Sequence, residues 1–131
     1  MKIEIVSGQP NADIESFFET LLPKYVNPHS VFKFPEHRIL HPVRLLNDFR
    51  EVVREHIEEN KDLYVLTYSD HILNAIRLEV KKHKFNNANL HQIRDDGSDM
   101  LAFIDEDGML SYWEDNVFNL WDKALIELLS D

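Results

Sequence analysis

Three stretches hold residue types that could do chemistry. Glu36-His37 with His41 could offer a metal two imidazoles and a carboxylate, and Ser69-Asp70-His71 sets a nucleophile, an acid and a base side by side. Asp95, Asp96 and Asp99, then Asp105, Glu106 and Asp107, concentrate carboxylate oxygens of the kind calcium prefers. Each has a plainer account. Two histidines four residues apart share a face only on a helix, and Pro35 and Pro42 bracket this pair as a turn, with no third ligand placed by spacing. A catalytic triad needs convergence in space rather than adjacency, and Asp70 or Ser69 reads as a helix cap. Neither acidic run has the calcium-loop spacing with its closing glutamate, and Gly97 and Gly108 make both runs hairpin turns. No metal site is expected. Lys33, at the end of an apolar strand, is either paired with Glu36 or Asp70 or a residue at a position without chemistry. Trp113, Phe118 and Trp121 read as core, and any of them that stands exposed as an interface anchor.

The elements that must position these residues follow from periodicity. Residues 2–6 alternate and are rich in Ile and Val, which reads as a short strand. Ser7-Gly8-Gln9-Pro10-Asn11 is turn composition. A helix follows from Asp13 or Asn11 to Leu22, with Ile14, Phe17, Phe18, Leu21 and Leu22 on one face. Residues 30–34 form a strand that Pro35 must stop. Pro42 suits the first turn of a helix carrying Val43, Leu45, Leu46, Phe49, Val52, Val53, His56 and Ile57. Residues 63–67 are continuously apolar, as in a strand covered on both faces. A further helix follows, with Lys81, Lys82 and Lys84 suited to its C-terminal end. Strands at 89–94, 100–104 and 109–112, separated by acidic-Gly turns, indicate antiparallel pairing, and 116–129 forms a last amphipathic helix. The expected fold is α/β: a small, mainly parallel sheet flanked by helices, with an antiparallel hairpin extension and a final helix. One domain, 1–131, is expected, divided into an α/β lobe at 1–85 and a hairpin-plus-helix extension at 86–131.

Composition narrows the function classes. Fourteen Lys and Arg against 24 Asp and Glu give a net charge of −10. That surface repels phosphate backbones, so no direct nucleic-acid binding is expected. The absence of cysteine excludes thiolate metal sites and disulfides and suits a reducing compartment. No window approaches the ~20 apolar residues of a membrane span, and MKIEIVSGQP has no signal-peptide core. A cytoplasmic protein without membrane association is expected.

The order Ser7-Gly8-Gln9, Ser30-Val31-Phe32-Lys33-Phe34-Pro35-Glu36, Leu40-His41-Pro42 and Thr67-Tyr68-Ser69 resembles the C-terminal lobe of ABC-type ATPase heads of the SMC-like and OLD-like kind. In that family a signature loop is followed by a Walker B strand ending in Asp-Glu-Pro-Glu, a Leu-His-Pro, a helix, and a strand ending in Thr-His-Ser. Asp70 to Arg77, then Ile104-Asp105-Glu106-Asp107-Gly108, Tyr112-Trp113 and Phe118, are similar to the helix and tail that some of these ATPases carry next. The resemblance implies an ATPase-derived fold with its chemistry replaced. Lys33 stands at the magnesium-binding aspartate, Phe34 at the glutamate that activates water, and Tyr68 at the histidine that senses the γ-phosphate, while Glu36 keeps the family's residue. No G-x-x-x-x-G-K-[ST] occurs, and Gly8, Gly97 and Gly108 are the only glycines. These departures remove the charge neutralisation on which phosphoryl transfer depends. A non-catalytic, cofactor-free regulator is therefore expected, docking on a related ATPase or on a second copy of itself, of a kind that suits a phage or mobile-element setting. Two alternatives stand beside it. In one, Ser7, Gly8 and Gln9 contact a nucleotide held by a partner ATPase; in the other, the acidic surface binds and inhibits a basic protein.

Overall fold

A computed structural model describes residues 1–34 and 42–112. Glu36, His37 and His41, the tryptophans and Phe118, and the expected final helix lie outside the described residues. Five strands form one sheet in the order β2-β3-β1-β4-β5, with β1 (Ile3–Gly8), β2 (Val31–Phe34), β3 (Leu63–Thr67), β4 (Ala88–Ile93) and β5 (Asp99–Ile104). The first four are mutually parallel, and only the β4–β5 pair is antiparallel. Three helices flank the sheet: α1 (Ile14–Leu21), α2 (Pro42–Glu59) and α3 (Asp70–His83). The chain is thus α/β, with a mainly parallel sheet and a C-terminal hairpin.

Alternation along the strands divides the core between two faces. Ile3, Ile5, Leu63, Val65, Ala88 and Leu90 pack with Phe49 and Val53 of α2 and with Ile72, Leu73, Ile76 and Val80 of α3. Val6, Tyr64, Leu66 and Ile93 pack with Ile14 and Phe18 of α1 on the other side. All five residues of β3 are buried, as its unbroken apolarity requires.

Polar side chains set the element ends. Asp13 caps α1 by accepting the Ser16 N–H at 3.1 Å, and Ser69 caps α3 by accepting the Ile72 N–H at 3.4 Å. Lys84 takes a left-handed conformation at the end of α3, behind Lys81, Lys82 and His83, the cationic C-terminus foreseen from composition. Asp96 accepts from Ser98, and Asp105 accepts the N–H groups of Asp107 and Met109, so both acidic runs are turn-forming. Arg77, buried in α3, donates to the Gly108 carbonyl at 2.5 Å and ties the second turn to the helix.

Two expectations are corrected. Residues 86–112 are not an appendage: β4 runs parallel to β1 over six residue pairs, and a boundary at 85/86 would cut a continuous sheet. Ser7 and Gly8 are not turn residues, because pairing with Gln92 and Ile93 extends β1 through Gly8. The sheet edges are β2, only four residues long, and β5. The far end of β5 is covered where Ser111 N–H donates to Phe103 O at 2.9 Å.

Candidate functional site

In an open α/β sheet, ligands enter at the carboxyl ends of the strands, where successive connections leave on opposite faces. Here β1 leads to α1 on one face and β3 leads to α3 on the other. At the carboxyl ends of β1, β2 and β3 stand Ser7, Gly8, Gln9, Phe34 and Tyr68.

The turn from β1 into α1 would have to supply free N–H groups to cradle a phosphate. Three of its donors, the N–H groups of Gln9, Asn11 and Ala12, are engaged. Gln9 N–H donates to Ile93 O at 2.8 Å, and Ala12 N–H donates to Gln9 O at 3.0 Å. Asn11 N–H donates to Asp95 Oδ1 at 2.9 Å, and Asp95 N–H donates back to Gln9 Oε1 at 2.8 Å. Asp95, from the end of β4, thus sets a carboxylate of this chain on the turn. Asp13 uses both oxygens on Ser16, and the Ser16 hydroxyl bond above all holds its carboxyl below the usual range.

Tyr68 lies among these acids. Burial chiefly pushes its phenol up, and Asp13, Glu15 and Asp95 push it further. Negative charge at this end of the sheet disfavours a triphosphate.

Lys33 and Phe34 have structural contacts. Lys33 is exposed and pairs with Glu19 Oε1 at 2.7 Å, its ammonium 5.9 Å from the Phe18 ring. The Glu19 hydrogen bond chiefly raises its pKa. Lys33 thus pairs with Glu19 where Asp70 was one expected partner, because alternation turns it towards α1; Glu36, the other, lies outside the described residues. Phe34 points to the opposite face and packs edge-on against Phe49, with ring centroids 5.3 Å apart.

Of Ser7, Gly8 and Gln9, expected to contact a nucleotide held by another chain, Gln9 is half-buried on the turn, whereas the other two lie in the strand. Both are buried within β1, and the Ser7 hydroxyl has no hydrogen-bond partner. A Cβ at Gly8 would lie 2.5 Å from Ile14 Cγ2 and 2.8 Å from Ile93 O. Glycine is required there by helix–sheet packing. Gly8→Ala should lower the unfolding free energy by about 2 kcal/mol in urea denaturation; unchanged stability would show that α1 gives way freely.

Ser69, Asp70 and His71 do not assemble a triad. The Ser69 hydroxyl caps α3, Asp70 Oδ1 accepts the His71 N–H, and the His71 ring stands 4.0 Å from Asp70. Among the described residues, no cluster of three or more His, Asp or Glu side chains could hold a metal ion, and none of their helices is long and apolar enough to cross a membrane.

Sequence reasoning missed a polar lock across three strands. His91 on β4 lies between Glu4 on β1 and Asp99 on β5, with Nε2 and Nδ1 each 2.9 Å from a carboxylate oxygen. Asn89 donates to the other Glu4 oxygen at 3.2 Å, and the Phe17 ring of α1 covers the imidazole at 5.4 Å. A neutral imidazole has one N–H donor, whereas an imidazolium donates to both acids. Burial pulls the His91 pKa down, but the Glu4 and Asp99 hydrogen bonds outweigh it and leave it raised. The only signal in the sequence was the alternation that puts Asn89 and His91 on one strand face.

No protein-family model, curated protein or solved structure matches the chain.

Proposed function

We propose that this chain is a non-catalytic protein-binding regulator built on an ATPase-like lobe, and that its partner is an ABC-type ATPase. The observation that carries the reading is the carboxylate of Asp95 on the β1–α1 turn. It engages a donor that a phosphate cradle would need, at a strand end where Asp13 and Glu15 already set negative charge on Tyr68. The packing of Lys33 on α1 and of Phe34 on Phe49 adds support, because both positions now serve the fold. What remains is a scaffold that can dock where a catalytic lobe would.

The test is affinity capture of the tagged chain from its host at moderate salt, followed by ATPase assays of the captured protein. Recovery of an ABC-type ATPase whose turnover changes when this chain is added is the expected result. Recovery only of a basic protein that dissociates as salt rises would replace this reading with electrostatic inhibition. ATP turnover by the purified chain alone, abolished by a substitution within it, would overturn the non-catalytic reading.

A further inference from the structure

At the opposite end of the sheet, by the amino ends of the strands, lies a cleft of about 260 Å³ lined by Pro23, Tyr25, Val26, Asn27, Ser30, Lys61, Asp62 and Tyr64. Tyr64 forms its floor. Its side chain is 1% exposed, and its hydroxyl is buried with no hydrogen-bond partner. A buried, unsatisfied hydroxyl costs about 1–3 kcal/mol. Phenylalanine would fill the same space in β3 without that cost. The opposite wall is the connector between α1 and β2, which carries Tyr25 with its ring 88% exposed. A large aromatic left in water beside an unsatisfied buried hydroxyl is an arrangement that a ligand would complete.

The lining defines the ligand's chemistry. Pro23, Tyr25 and Val26 offer apolar and aromatic surface, suited to a flat ring. The Tyr64 hydroxyl can donate and accept, so the ring needs a polar edge. Burial chiefly raises the Tyr64 pKa, aided by Asp62 and Glu4, which keeps the phenol protonated and able to donate. Lys61 and Asp62 cancel in charge, so nothing in the lining selects an anion. The volume suits one or two fused rings. We propose that this cleft binds an uncharged planar heteroaromatic compound with a hydrogen-bonding edge, the chemistry of a free nucleobase, between Tyr25 and the Tyr64 hydroxyl. Binding requires the irregular connector around Tyr25 to shift and open the hydroxyl to the cleft. The proposal is independent of any ATPase partner.

The experiment is a titration of the full-length, ¹⁵N-labelled chain with adenine, with uracil and with adenosine monophosphate, following backbone amide resonances. Adenine or uracil should shift the resonances of Tyr25, Val26, Asn27, Lys61, Asp62 and Tyr64, and the added phosphate should bring no gain in affinity. Tyr64→Phe should weaken binding about tenfold while raising the melting temperature of the free chain. Tyr25→Ala, at an exposed position, should weaken binding with no change in melting temperature. Shifts absent from these residues for every compound, or binding unaffected by Tyr64→Phe, would overturn the site. Tighter binding of the monophosphate would overturn the preference for an uncharged ligand.

Discussion

His91→Ala should lower the unfolding free energy by about 3 kcal/mol near pH 6, the largest single-site loss expected outside the apolar core. The substitution removes the cation that, among the described residues, lies between Glu4 and Asp99, and leaves two carboxylates facing one gap across β4. The groups facing His91 are these two acids, the Asn89 amide bound to Glu4, and the Phe17 ring, so no second cation among them replaces the lost charge. The effect depends on pH with a definite sign. The folded-state pKa of His91 is raised above its ordinary value near 6.5. The imidazolium's contribution is therefore complete below that ordinary value and is lost as pH rises through the folded pKa. Urea denaturation of the wild type and the variant at about pH 6 and about pH 9 should show the gap narrowing at the higher pH. An equal gap at both values would mean that His91 acts through packing alone.

The second large loss is expected at Arg50. Between α2 and α3, Glu79 is 3% exposed, and one of its oxygens receives both Arg50 Nε at 2.9 Å and Nη2 at 2.8 Å. Its other oxygen lies 3.7 Å from His83. Arg50→Met leaves a buried carboxylate without its guanidinium, at an expected cost of about 3 kcal/mol. Adding Glu79→Met removes the stranded charge and should restore most of the loss, because an apolar pair can replace a buried ion pair. A double variant no more stable than Arg50→Met would show that the pair's value lies in helix packing and not in charge compensation.

The parts of the fold legible in the sequence were those fixed by local chemistry. The unbroken apolarity of 63–67 marked a strand buried on both faces, the spacing from Val43 to Ile57 marked α2, and the Asp95–Asp99 turn marked the β4–β5 hairpin, whereas the strand expected at 109–112 is reduced to one bridge between Ile104 and Leu110. What was not legible depends on pairing between distant segments. Periodicity shows which face of a strand is apolar, but it does not name the neighbouring strand. Nothing local says that β1 lies between β3 and β4, so the turn-forming composition from Ser7 to Asn11 hid two further strand residues. The Glu4–His91–Asp99 lock was hidden for the same reason, since Glu4 and His91 are 87 residues apart. Lys33 stood out at the end of an apolar strand, but its partner, Glu19, is set by the alternation of β2 against α1. Tyr64 looked like one more apolar residue in a buried strand, and only its solitary hydroxyl distinguishes it.

The central place of β1 also bears on how the chain acquires its structure during synthesis. Strand β1 has no sheet partner until residues 63–67 have been made, and its second flank waits for residues 88–93. Until then Ile3, Ile5 and Val6 have no sheet to close over them. A nascent chain ending before β4 therefore presents an open central strand, and local helix formation cannot replace a closure that spans more than 80 residues. The N-terminal half should thus depend on chaperones or rapid elongation, and the molecule should become protease-resistant in one late step rather than progressively.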